Sequence, residues 1–144
     1  MTADQWALWG CGIYFLTGLL TGVWKYWQIA TSEKGRAHYY VDVAHRASLM
    51  YAFACLVLER FALLSVWDDW INTLAVLASL LFFGLAIGSY ILHGFLQDTR
   101  NQLQRPHRLG GGSVPELAMS VFMVSLIVAE VGGFAVLFAG FVMR

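Results

Sequence analysis

Four apolar stretches dominate this chain: about Trp6 to Trp27, Ala44 to Val66, Ile71 to Leu96 and Val114 to Val142. Each exceeds the roughly 20 residues that cross about 30 Å of hydrocarbon as a helix. Because the backbone must satisfy its own hydrogen bonds in lipid, the expected structure is an all-α, integral membrane four-helix bundle. It forms a single transmembrane domain over residues 1–144, with helices at about 6–29, 44–66, 71–96 and 114–142. A chain with 59% hydrophobic and 12% charged residues is far from the soluble-domain average. The first stretch lacks a basic leader, carries Asp4 and is rich in Trp, so it reads as a retained helix rather than a secretory signal.

Nine basic and nine acidic residues cancel, and no nucleic-acid partner is expected. Their distribution is informative. Lys25, Lys34, Arg36 and Arg46 flank the first connection and Arg100, Arg105 and Arg108 fill the third, whereas the second holds Asp68 and Asp69 and no base. The positive-inside rule therefore places connections one and three in the cytoplasm and both termini outside, in a cell inner (plasma) membrane. The tryptophans fall in three pairs, Trp6/Trp9, Trp24/Trp27 and Trp67/Trp70, each at a helix end where indole prefers the headgroup region. Cys11 and Cys55 read as small buried hydrophobes.

Gly18 and Gly22 on the first helix, and Gly84 and Gly88 on the third, have the spacing that lets membrane helices approach closely, within a subunit or between subunits. Gln97 to Ser113 is the one long polar segment. It reads as a mobile loop ending in Ser113-Val114-Pro115-Glu116, a capping-box pattern that opens helix four with Glu116 as cap.

Ionisable residues inside membrane helices mark functional sites by default. Helix two runs outward, so His45 lies in its first turn and Tyr51 about 9 Å deeper. Helix three runs inward, which brings Tyr90 and His93 near its cytoplasmic end. These four residues fall in one slab of the membrane, and their depth permits a common cavity. Neutral imidazole at His45 suits a haem iron. His38, Asp42 and His45 have helical spacing, which allows a carboxylate behind the ligand. His107 belongs to the basic loop and is expected to be solvated. Arg60 can snorkel to outer headgroups with Glu59 beside it, while Glu130, mid-membrane with no ionisable neighbour evident, is assigned a structural role. No phosphate loop, CxxC or HExxH is present, so any chemistry rests on a cofactor or on these intramembrane groups.

The segment Phe15-Leu16-Thr17-Gly18-Leu19-Leu20-Thr21-Gly22-Val23-Trp24, then Ala44-His45, Arg60 and Gly88-Ser89-Tyr90, followed by a glycine-containing loop and an apolar fourth helix, resembles the styrene oxide isomerase family of small haem-b membrane enzymes. The resemblance implies a homotrimer with haem b (ferric iron) between subunits and a small hydrophobic epoxide as substrate, isomerised to an aldehyde without net redox change. It implies His45 as the metal ligand, Arg46 and Arg36 as cofactor-binding residues, and Tyr90 and Tyr51 as catalytic residues. Tyr51 stands where the family has an asparagine that positions the epoxide. Three other readings stay open: a b-type cytochrome ligated by His45 and His93, a membrane glutathione transferase suggested by His45-Arg46-Ala47, and a purely structural membrane subunit.

Overall fold

The computed structural model describes residues 1–144. Its helices are α1 (Ala3–Thr31), α2 (Tyr39–Leu64), α3 (Asp69–Leu96) and α4 (Glu116–Val142), and a small hairpin, β1 (Arg108–Leu109) and β2 (Gly112–Ser113), lies between the last two. All four helices are long and apolar enough to cross a membrane, so the protein is an all-α, multi-pass membrane bundle. One end of the bundle carries the first and third connections and is called the basic end here. The other carries Asp68 and Asp69.

The core occupies the half nearer the acidic end. Ala3 and Ala7 of α1, Cys55, Leu58 and Ala62 of α2, Ala75, Val76, Leu80 and Phe83 of α3, and Leu137 of α4 form one cluster. Cys11 packs against it, partly buried, so both cysteines behave as small hydrophobes and both are free. Asp69 at the start of α3 accepts a hydrogen bond from the Ala3 N–H at 3.0 Å. That satisfies an amide that no intrahelical carbonyl can reach and places a negative charge at the positive end of α1.

The glycines set the helix spacing. A Cβ on Gly18 would lie 2.6 Å from Leu49 Cδ2, and one on Gly22 would lie 2.9 Å from the His45 ring. Both glycines of this pair therefore seat α2 against α1 within one chain. The α3 pair divides: Gly84 faces the Tyr14 hydroxyl, whereas Gly88 is exposed with nothing within 4 Å of its missing Cβ.

α4 is most deeply buried toward its C-terminal end. Its buried residues are Gly133, Leu137 and Gly140, all in its second half. There Gly133 lies against Ala75 and Ser79, Trp67 Nε1 donates to the Val136 carbonyl at 2.9 Å, and the Val66 N–H donates to the Gly140 carbonyl at 3.1 Å. From Glu116 to Gly132 no residue is fully buried, although the Phe122 ring lies 6.1 Å from Phe82 of α3.

Three local expectations are corrected. α2 begins at Tyr39, five residues before the apolar stretch does, so His45 sits in its second turn. The early start is possible because His38 caps the helix by accepting from the Tyr40 N–H, and because Lys25 neutralises Asp42 at 2.6 Å. The Ser113–Glu116 capping box does not form, since Ser113 is paired with Arg108 in the hairpin, and Glu116 instead faces Arg105 at 3.6 Å. The third connection is folded rather than mobile: Gly110, with φ +58°, turns the hairpin through a conformation that a side chain disfavours.

Gly18→Val should destabilise the protein by about 1–3 kcal/mol through overpacking against Leu49, whereas Gly88→Ala should change stability by less than about 0.5 kcal/mol. Denaturant unfolding in micelles, followed by far-UV circular dichroism, measures both. Equal effects would contradict the assignment of the first pair to the α1–α2 seam.

Candidate functional site

An α-helix turns about 100° per residue, and this rotation sorts the polar residues of α2. His45 stands about 120° around the helix from Tyr51 and about 140° from Tyr40. It faces α1, while the two tyrosines face α3. The four residues expected to share one slab therefore divide between two sites in a single chain.

At the α1–α2 seam His45 rests over Gly22 with its Nδ1 2.8 Å from the Gly18 carbonyl. A carbonyl only accepts, so Nδ1 carries the proton and Nε2 is left with its lone pair. The Gly18 carbonyl also accepts from the Thr21 hydroxyl at 3.1 Å. One turn closer to the basic end, Asp42 bridges Lys25 at 2.6 Å and Arg46 at 2.8 Å. Beside this bridge lies a cleft of about 620 Å³ lined by Lys25, Arg36, Tyr39, Asp42 and Arg100. Of the two arginines assigned to cofactor binding, Arg36 lines the cleft. Arg46 lies outside that lining, its guanidinium engaged by Asp42. Arg100 lines the cleft and was not singled out from sequence.

At the α2–α3 seam Tyr51 stacks on Phe83 with ring centroids 4.3 Å apart. Tyr40 lies between Tyr90 (6.0 Å) and His93 (5.2 Å). Glu130 of α4 has a buried carboxyl oxygen without a hydrogen-bond partner and lies within Coulombic reach of both Tyr51 and Tyr90. The reading of Glu130 as without ionisable neighbours is thus corrected: both phenols lie within range of its charge. Glu59 and Arg60 form no ion pair with each other, and Arg60 is exposed.

The third connection docks onto this second seam through a buried network. Gln97, in the left-handed conformation at the end of α3 (φ 49°), reverses the chain so that Asp98 meets His93. The His93 Nδ1 to Asp98 Oδ1 distance is 2.8 Å, with side chains 7% and 6% exposed. The second oxygen of Asp98 accepts from the Gly110 N–H at 2.6 Å. Burial opposes ionisation of Asp98, but the hydrogen bonds from His93 and Gly110 outweigh it and hold the carboxyl below the usual aspartate range. Further along, the Gln102 N–H donates to the Tyr40 hydroxyl at 2.6 Å, and the Gln102 carbonyl accepts from His107 Nδ1 at 3.2 Å. His107 is 6% exposed, so it is a buried strut of the connection and not a solvated side chain. Burial and the nearby Arg100 lower the His38 pKa, which keeps its Nδ1 free to accept from Tyr40.

Sequence reasoning passed over Tyr40, Asp98 and Gln102. One signal was available: Asp98 is the single acid in an otherwise basic segment. The chain gathers no group of three or more His, Cys, Asp or Glu side chains that would hold a metal ion. Comparison with protein-family models, with curated proteins and with solved structures finds no match.

Asp98→Asn should increase opening of the third connection roughly thirtyfold, equivalent to about 2 kcal/mol, read as the rate of tryptic cleavage at Arg100 and Arg108. Because the Asp98 pKa is depressed on folding, its contribution is complete above the ordinary aspartate pKa of about 4 and is lost as pH falls through the lower folded value. Hydrogen exchange at the Gly110 amide should show protection falling at acid pH in the native protein and not in the variant.

Proposed function

We propose that this protein is a haem-b-dependent membrane isomerase that converts an aryl epoxide to an aldehyde, working as a homotrimer in the inner (plasma) membrane with its basic end in the cytoplasm. The observation that carries the reading is His45, whose Nδ1–H is committed to the Gly18 carbonyl and whose Nε2 lone pair is thereby available. A lone imidazole suits a metal that brings its other ligands with it, as porphyrin iron does. Lys25, Arg36 and Arg100, in the cleft one turn away, suit the two carboxylates of such a group. Bound there, ferric haem would supply a Lewis acid for the epoxide oxygen.

The remaining work falls to the chain. His45 holds the group through one nitrogen and keeps its ring orientation through the other. The Tyr90 phenol would orient the epoxide or the developing benzylic cation, while a C–O bond breaks, a hydride moves to the benzylic carbon and a C=O bond forms next to it. The Tyr51 hydroxyl, in the place of the family's asparagine, can donate a hydrogen bond from a larger ring, so its pocket is shaped for a different substrate outline. Such a site must exclude the water that would trap the cation as a diol.

His45 and the tyrosine pair face different sides of α2, so a site that uses both takes the histidine from one copy and the phenols from another. This supports the oligomeric reading. It also argues against a cytochrome ligated by His45 and His93 of the same chain. His93 packs on Tyr40, about 140° around α2 from His45, and is fixed to Asp98.

Purified protein reconstituted with haem should show a Soret band that His45→Ala abolishes and His93→Ala retains. Tyr90→Phe should keep the band and slow isomerisation of an aryl epoxide roughly a hundredfold. Absence of haem binding by the native chain, or equal loss in both histidine variants, would remove the reading. For orientation, a cysteine introduced at Asn101 should resist an impermeant maleimide in intact cells and react after lysis.

A further inference from the structure

Beneath the hairpin is a cavity of about 230 Å³, bounded by α3, the third connection and the start of α4. Its polar wall consists of Ser89, His93, Gln102 and Arg108. The one proton of the Ser89 hydroxyl goes to the Ala86 carbonyl at 2.8 Å, so Gln102 meets Ser89 Oγ at 3.3 Å through its NH2, which keeps a second N–H free. The Arg108 guanidinium lies within reach of no carboxylate, since the ion pairs of this end engage Lys25, Arg46, His93 and Arg105. The wall thus offers one fixed positive charge on Arg108 and one free Gln102 N–H, with His93 Nε2 beside them, and the charge complements an anionic head.

The opposite wall is apolar and continues out of the cavity. Ala118 and Phe122 line it, and they also line a second crevice of about 600 Å³ between α3 and α4, where Phe82, Leu85 and Val121 complete the walls. This crevice exists because α4 has no fully buried residue before Gly133. A donor-lined pocket at the headgroup level therefore leads directly into a hydrocarbon-lined slot running toward the bilayer centre.

We propose that this compartment, distinct from the His45 seam, binds a free fatty-acid-like molecule: one unbranched acyl chain in the α3–α4 crevice, with its carboxylate on Arg108 and Gln102. A cavity of 230 Å³ admits a carboxylate and its first methylenes. A glycerophospholipid head would bring a second chain for which the crevice has no second slot.

The full-length protein in nanodiscs of zwitterionic phosphatidylcholine can be photolabelled with diazirine-tagged dodecanoate and the adducts mapped by peptide mass spectrometry. Labelling should concentrate on residues 82–92 and 116–125. Excess dodecanoate should suppress it, whereas dodecanol should not. Arg108→Gln, a change at an exposed hairpin position that leaves the fold intact, should reduce labelling at least tenfold. Ala118→Phe, which fills the junction of the two cavities, should do the same, and Arg60→Gln at the far end should leave it unchanged. Three outcomes overturn the proposal: equal competition by dodecanol, stronger competition by didodecanoyl phosphatidylglycerol, or labelling spread evenly over all four helices.

Discussion

Where Gly18 and Gly22 of α1 meet His45 and Leu49 of α2, the helices approach so closely that a Cβ on Gly18 would lie 3.3 Å from the Leu49 backbone nitrogen. Lipid offers no hydrophobic drive for helix association, so tight contact and interhelical hydrogen bonds must supply it. This seam has both. The imidazole fills the space that the glycines vacate and donates to the Gly18 carbonyl, which the Thr21 hydroxyl also reaches at 3.1 Å. The same contact that joins the helices fixes the tautomer of the histidine. Packing and chemistry are one interaction here.

The basic end is closed by different physics. Lys25 and Arg46 hold Asp42 at the entry to α2, and Asp98 pins the third connection to His93 and Gly110. The Asp42 pairs stay partly solvated whereas the His93–Asp98 pair is buried, and directional hydrogen bonds set the geometry of both. The acidic end is held by small residues and aromatic rings, with Trp67 reaching across to the Val136 carbonyl. The bundle is therefore dry and close-packed at one end, polar and hydrogen-bonded at the other.

Hydropathy made the four spans and their connections legible, since crossing hydrocarbon demands length and composition before anything else. The glycine pair of α1 was also readable. The start of α2 was not, because Tyr39, Tyr40 and Asp42 interrupt the apolar pattern yet are helical, and the partner that permits this, Lys25, is on another helix. Nor was the division of His45 from Tyr51 and Tyr90. Depth along a helix follows from counting residues, but which neighbour a face meets depends on the order of the helices around the bundle. The folded third connection escaped for a related reason: its anchor Tyr40 is 62 residues from Gln102 in sequence, and a segment rich in Arg and Gly carries no periodicity to reveal it.

A helix whose buried residues all lie in its second half leaves an open apolar groove beside α3. Between α3 and the unburied stretch of α4 the opening faces the acyl chains, so a solute can arrive by lateral diffusion in two dimensions without entering the aqueous phase. Its supply then follows its membrane partition coefficient. Each added methylene is worth about 0.8 kcal/mol, roughly a fourfold enrichment at the doorway. Selection among hydrophobic molecules thus begins in the bilayer, before any side chain of the protein has been touched.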